Sequence, residues 1–590
     1  MQYRRRLGGP ALLLLAVVVA LAPTTAGVAR PTAASRRAPR PPKANQPAKA
    51  RQPAPPAKPK PGWLVSQARI EPLDGGRGAV GVLGVGAFRG ALDIVPAPGG
   101  GVAVVNQVGL EDYVRGLAEV PATWPAEALK AQAIAARTYA LHELALDPQV
   151  ATAARGVGAQ ICATDACQVY AGVAKEVDPD GAASFPNWAA AVADTAGQVV
   201  EFQGQPINAK YSSSNGGRSV GGGRPYLKPV DDPDDRFSPL HHWRSQLSST
   251  DVAAALGLGG TLDAVSRVGD LLAVDWHGAD GGHDRLTIAA SDFRTRVNGV
   301  VPAPPDLPRA VPSARFSPGL DVATGTVVLD GGGWGHGIGM SQWGAYGKAL
   351  RGLKAPDILA AYYGGLRPAK VDPARLPATI RVAVDLGRPE AQMADGARFR
   401  VLDGSGHALA VAASGPWRFV PEGKGVRVVP PPGQDGVPAV QALAVDPAAP
   451  TATAPVTVRF RLSAPALVRV TVADEAGALP PVALEPGLLD AGESAQALPP
   501  PTRAGRYVVT VAADAGGGRT ASVPVPVEIR PAPAASSIGP RPVEGPAILA
   551  VLDRPMADRP KGTDGRNAAG ALAATLLLTV GTAARRRWPA

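Results

Sequence analysis

Leu-Lys-Ala-Gln-Ala-Ile-Ala-Ala-Arg-Thr-Tyr-Ala, residues 129 to 140, decides the class of fold. Leu129, Ala133, Ala136, Ala140 and Leu144 recur at three- and four-residue spacing, the period of one helix face. Pro125 suits the first turn, where its missing N–H costs nothing. On either side the pattern changes to short β-branched runs. Upstream, residues 78 to 83 and 101 to 105 carry Val, Leu and Ala between glycines, as hairpin strands do; downstream, residues 198 to 202, 273 to 276 and 286 to 288 read the same way. A last helix over 355 to 363 stops at Gly364-Gly365. Helices enclosed between strands in one unit indicate an α+β fold.

The whole chain has 590 residues, too many for one core. Residues 376 to 446 contain alternating strands, at 380 to 384 and 425 to 429, and read as a small β domain. Residues 452 to 530 hold further short alternating segments separated by Gly and Pro turns, the spacing of an immunoglobulin-like β-sandwich. The N-terminus begins with Arg4-Arg5-Arg6, an uninterrupted apolar run over 11 to 22, and small residues at 24 to 29. This is the pattern of a signal peptide over 1–29, so the chain is expected to be exported to the outer face of the membrane or the cell wall. Residues 30–61 are rich in Pro, Ala, Lys and Arg and cannot bury enough surface to order themselves, so they read as a linker. A second linker is expected over 531–567. The charge-free run 568–584, followed by Arg585-Arg586-Arg587, reads as a transmembrane helix with a cytoplasmic basic tail over 585–590, or as a processed sorting tail.

The net charge of +11 excludes less than it suggests. Residues 1 to 60 hold twelve Lys or Arg and no acid, and Arg585 to Arg587 add three, so the rest of the chain is net acidic by four. No basic domain is left to follow a phosphate backbone, and nucleic acid is not an expected partner.

Chemistry concentrates in four blocks. Glu111-Asp112-Tyr113-Val114-Arg115-Gly116-Leu117-Ala118-Glu119-Val120-Pro121 precedes the helix at 129 to 140. Then come Tyr211-Ser212-Ser213-Ser214-Asn215-Gly216-Gly217 and Trp334-Gly335-His336-Gly337-Ile338-Gly339-Met340-Ser341-Gln342-Trp343-Gly344. Within them Glu119 is the candidate acid, because its neighbours Leu117, Ala118 and Val120 are apolar and such surroundings raise a carboxyl pKa. Glu111 and Asp112 form a second acidic pair that would permit a two-carboxylate hydrolase. Ser341 and His336 invite a serine-hydrolase reading, but no nucleophile elbow and no orienting acid accompany them.

These blocks, in this order, resemble the sporulation stage II protein D and LytB family of bacterial cell-wall proteins, over about residues 62–370. The resemblance implies a catalytic domain acting as a peptidoglycan lytic transglycosylase. Glu119, in the Ala-Glu-x-Pro motif, would cleave the bond between N-acetylmuramic acid and N-acetylglucosamine, leaving 1,6-anhydro ends. Gln132, Arg137, Tyr139, Tyr211, Ser213, Ser214, His336, Ser341 and Gln342 would bind the glycan, with Arg137 facing a muramyl carboxylate. LytB-type relatives imply the alternative of a non-catalytic, glycan-binding modifier of a cell-wall amidase. Some relatives bind zinc near the position of Cys162 and Cys167, with a His just before the second Cys; here that residue is Ala166. A disulfide is therefore expected, with no metal and no cofactor.

Overall fold

The computed structural model describes residues 62–73, 78–146, 152–176, 186–499 and 502–532. The expected signal peptide, the linker at 30–61, the 568–584 segment and the basic tail lie outside the described residues, as does the 531–567 linker beyond residue 532. Among the described residues no helix is long and apolar enough to cross a membrane.

The fold is mixed α and β and rich in strands. Its main sheet has seven strands in the order Ala408–Ser414, Arg398–Asp403, Ala68–Pro72, Ala91–Pro96, Val102–Gly109, Thr379–Arg388 and Ile161–Cys162. Val102, Ala103, Val104 and Val105 are all buried, so this strand is covered on both faces, which is why it reads as a continuous apolar run.

The small β domain expected over 376–446 does not exist as a separate unit. Thr379–Arg388 pairs with Val102–Gly109, Ile380 standing opposite Val108. Arg398–Asp403 pairs with Ala68–Pro72, and Gly425–Val429 with Trp63–Val65. Val440–Asp446 goes the other way and pairs with Val456–Leu462 in the C-terminal region. Without these returning strands Ala68–Pro72 and Val102–Gly109 would each expose an edge of unpaired backbone groups. Ile380, Val382, Phe399, Val401, Phe419 and Val428 also complete one core with Ile70, Leu92 and Val104.

The helix predicted around 129 to 140 spans Ala126–Ala145 and is buried on nearly every side. Its many alanines allow the strand Gln198–Phe202 and the helices Pro186–Asp194, Gln342–Leu350 and Ala355–Tyr362 to pack against it. Residues 243 to 331 form a lobe with a core of its own, in which two three-stranded sheets pack with the helices Ser249–Leu256 and Ala290–Val300 around Leu272, Val274, Phe293 and Leu329. Beyond residue 440, two sheets enclose a third core that includes Val458, Phe460, Val470 and Val511. This C-terminal pair is joined to the main body at Trp63, whose ring stacks on Trp417 at 6.1 Å and carries the Arg519 guanidinium 5.1 Å away.

Candidate active site

Glu119 follows the short helix Leu110–Arg115 in a segment fixed against residues 169 and 170. Ala118 N–H donates to Val169 O (2.8 Å), and Leu117 bridges to Tyr170. The carboxyl reaches back to the same segment, where Val169 N–H donates to Oε1 at 2.7 Å, and Tyr211 O–H donates to that oxygen from another segment at 3.2 Å. Behind Tyr211 stands Gln168, wholly buried. Its amide donates to the Tyr211 hydroxyl (2.8 Å) and to Ala136 O (3.2 Å), while its carbonyl accepts from Tyr113 (2.9 Å). Cys162 and Cys167 form a disulfide that closes the loop leading into Gln168 and Val169.

Burial raises the Glu119 pKa above the ordinary carboxylate value. The donors Val169, Tyr211 and Gln342 oppose that shift, and the nearby charge of Asp165 adds to it.

The groove in front of Glu119 is assembled from distant segments. Tyr211–Ser212 runs parallel to Met340–Ser341, and Ser214 and Trp334 exchange backbone hydrogen bonds of 2.8 and 3.1 Å. So close an approach explains the glycines: Gly339 has φ +71°, and a Cβ there would lie 2.0 Å from Lys210 O. Asp235 locks the junction from behind. It accepts from Ser214 (2.7 Å), Ser341 (2.6 Å) and Asn215 N–H (3.0 Å), and pairs with His241 Nδ1 at 2.9 Å. Beside it, buried Asp232 and Asp234 hold Lys348 at 2.6 and 3.1 Å.

Six of the residues expected at the site line this groove: Glu119, Tyr139, Tyr211, Ser213, His336 and Gln342. His336 keeps an edge open to solvent, yet desolvation by its neighbours and the positive charges of Lys210 and Arg294 push its pKa down to about 4. Its Nδ1 accepts from Ile338 N–H at 2.9 Å, so the ring is neutral at pH 7.

Four others are elsewhere. Arg137 is fully buried and makes a bidentate pair with Glu111 (2.8 and 2.6 Å), so it joins two helices and does not face a ligand. That pair also removes Glu111 from the two-carboxylate alternative, and Asp112 is bound to Arg115 at 2.9 Å. Ser214 and Ser341 are spent on Asp235, and Ser341 also caps the helix Gln342–Leu350 by accepting from Gly344 N–H. Gln132 is buried behind Gln342, whose amide donates to its Oε1 at 3.4 Å.

Sequence reasoning missed Gln168, Asp235 and the cations Lys210, Arg294 and Arg309 that line the groove. Arg309 is paired with Asp165 at 2.9 Å, whereas Lys210 and Arg294 carry no ion pair among the described residues. The run Asp231-Asp232-Pro233-Asp234-Asp235 was the available signal for the buried network, but an acidic run read alone looks solvated.

A family model described as "Stage II sporulation protein" matches residues 98–202. Stage II sporulation protein D of Bacillus subtilis is 31% identical over 281 residues, covering 45% of this chain and 76% of that protein. An uncharacterized protein of Brachyspira hyodysenteriae is 30% identical over 292 residues, 47% of this chain and 71% of that one. The amidase enhancer of Bacillus subtilis is 29% identical over 295 residues, covering 42% of this chain and 38% of the enhancer. The family model spans the block that holds Glu119 and the long helix, and the chain belongs to the stage II sporulation protein D family.

Proposed function

We propose that the chain is an exported peptidoglycan lytic transglycosylase acting in cell-wall remodelling or sporulation. The observation that carries this reading is Glu119: one carboxyl with a raised pKa, steadied by Val169 N–H and the Tyr211 hydroxyl, in a polar groove. In its protonated form Glu119 gives its proton to the glycosidic oxygen between N-acetylmuramic acid and N-acetylglucosamine as the bond to C1 breaks. The resulting carboxylate then takes the proton of the muramyl 6-hydroxyl as O6 closes on C1. One residue serves as acid and then base, and no water is consumed. Lys210 and Arg294 take the role read for Arg137 and face the anionic group of a muramyl unit.

Gln342, Ser213 and His336 supply hydrogen-bonding groups for sugar hydroxyls and N-acetyl amides. Export follows the signal peptide at 1–29. The 568–584 segment holds the chain at the membrane, and the immunoglobulin-like sheets serve as its spacer.

The similarity to an amidase enhancer favours a second reading, a glycan-binding modifier of a cell-wall amidase. Mass spectrometry of purified glycan strands after incubation with the chain separates the two. Anhydro ends, lost in Glu119→Gln, support the transglycosylase. Reducing ends would make it a hydrolase, and intact strands with a stimulated amidase would make it a modifier.

A further inference from the structure

On the lobe of residues 243 to 331, between the block at 211 to 217 and the block at 334 to 344, three metal-ligating side chains converge. Asp263, His277 and His283 each offer a ligand atom within 4.8 Å of the other two. We infer that these residues form a binding site for a divalent cation of the zinc class.

The backbone brings them together. His277 and His283 are directly opposed on the antiparallel strands Leu271–Gly278 and His283–Ala289, so their rings share one face, with centroids 5.5 Å apart. Asp263 lies on the neighbouring strand Gly260–Val268, where the register shifts between Leu262 and Ala264. Thr261 stands opposite His277, so Asp263, two residues on, lies on the histidines' face, and the bulge that leaves it unpaired lets both Leu262 and Val265 stay in the core.

The carboxylate already engages both rings, at 2.6 Å to His277 Nδ1 and 2.9 Å to His283 Nδ1.

Two imidazoles and one carboxylate are a borderline donor set suited to zinc, with the fourth tetrahedral position left for water. Ligand atoms about 2.1 Å from a tetrahedral ion lie about 3.4 Å apart, so the carboxylate must move out from its 2.6 and 2.9 Å contacts while no pair of ligand atoms, all within 4.8 Å of one another, has far to travel. The 74% exposed His283 side chain can make that movement, and it gives the ion a path in. A neutral imidazole shifts its proton to Nε2 and offers Nδ1 to the metal, so no co-reactant is required.

The test is zinc titration of the untagged, oxidised, chelator-stripped chain by calorimetry, with elemental analysis of the product. One zinc per chain is expected, weakened at least about tenfold in His277→Ala, His283→Ala and Asp263→Ala. These side chains lie on the solvent side of the sheet, and unchanged circular dichroism would establish that each variant is folded. No binding up to about 100 µM zinc, or binding that all three variants retain, would overturn the site. Retained binding would also direct attention to ligands elsewhere in the chain.

Discussion

Glu119 holds two separable properties, its reactivity and its cost to the fold. Glu119→Gln keeps the shape and removes the proton, so turnover should fall by about 10² to 10⁴-fold while glycan binding remains. Anhydro-end formation measured against wild type checks this. The second property is visible in stability. Burial raises the carboxyl pKa in the folded state, so the folded chain binds that proton more tightly than the unfolded one. The stabilisation is complete below the ordinary Glu range and is lost as pH rises through the folded value. Glu119→Gln never charges, so it should melt higher than wild type at pH 7, and the gap should close by about pH 4. A variant that melts lower at pH 7 would show that the carboxylate is stabilising where it stands. At this scale the sequence was half legible. The residue types at 119, 139, 211, 213, 336 and 342 suited a groove and are in one. Arg137, Ser214 and Ser341 suited it equally but point to Glu111 and Asp235, because a polar side chain carries no sign of its direction until its partners are known.

Among the elements, the loop from Gly335 to Gly339 is where backbone geometry controls the groove. Gly339→Ala would place a methyl against Lys210 O and force a left-handed backbone on alanine. The strain alone costs about 1–3 kcal/mol, so thermal unfolding should shift downward and turnover should fall with it. A variant with an unchanged midpoint would mean that the two segments separate readily. The long helix was the most legible element, since its period is local and uninterrupted. The pairing of Tyr211–Ser212 with Met340–Ser341 was not, because two residues give no period to read.

For the whole molecule, the fold class could be read but the domain limits could not. Pairing between Val102–Gly109 and Thr379–Arg388 joins segments about 270 positions apart, and nothing in either strand names its partner. A fragment of residues 62 to 370 should therefore aggregate on expression, with its main sheet open at Val102–Gly109, while residues 62 to 532 should be soluble. Size-exclusion chromatography of the two distinguishes these outcomes, and a soluble, monodisperse short fragment would mean that the returning strands are dispensable.

The environment of Glu119 has one more consequence. In an unfolded chain this residue is an ordinary solvated acid with a pKa of about 4.3. Its greater proton affinity arises only on burial in the folded chain, where the donors Val169, Tyr211 and Gln342 temper it. A chain in transit through a membrane, or one stalled with the Gly-rich loop undocked, would carry the acid without its potency. The proton affinity of Glu119 thus reports completed assembly, because it departs from the solvent value only once folding has buried the residue.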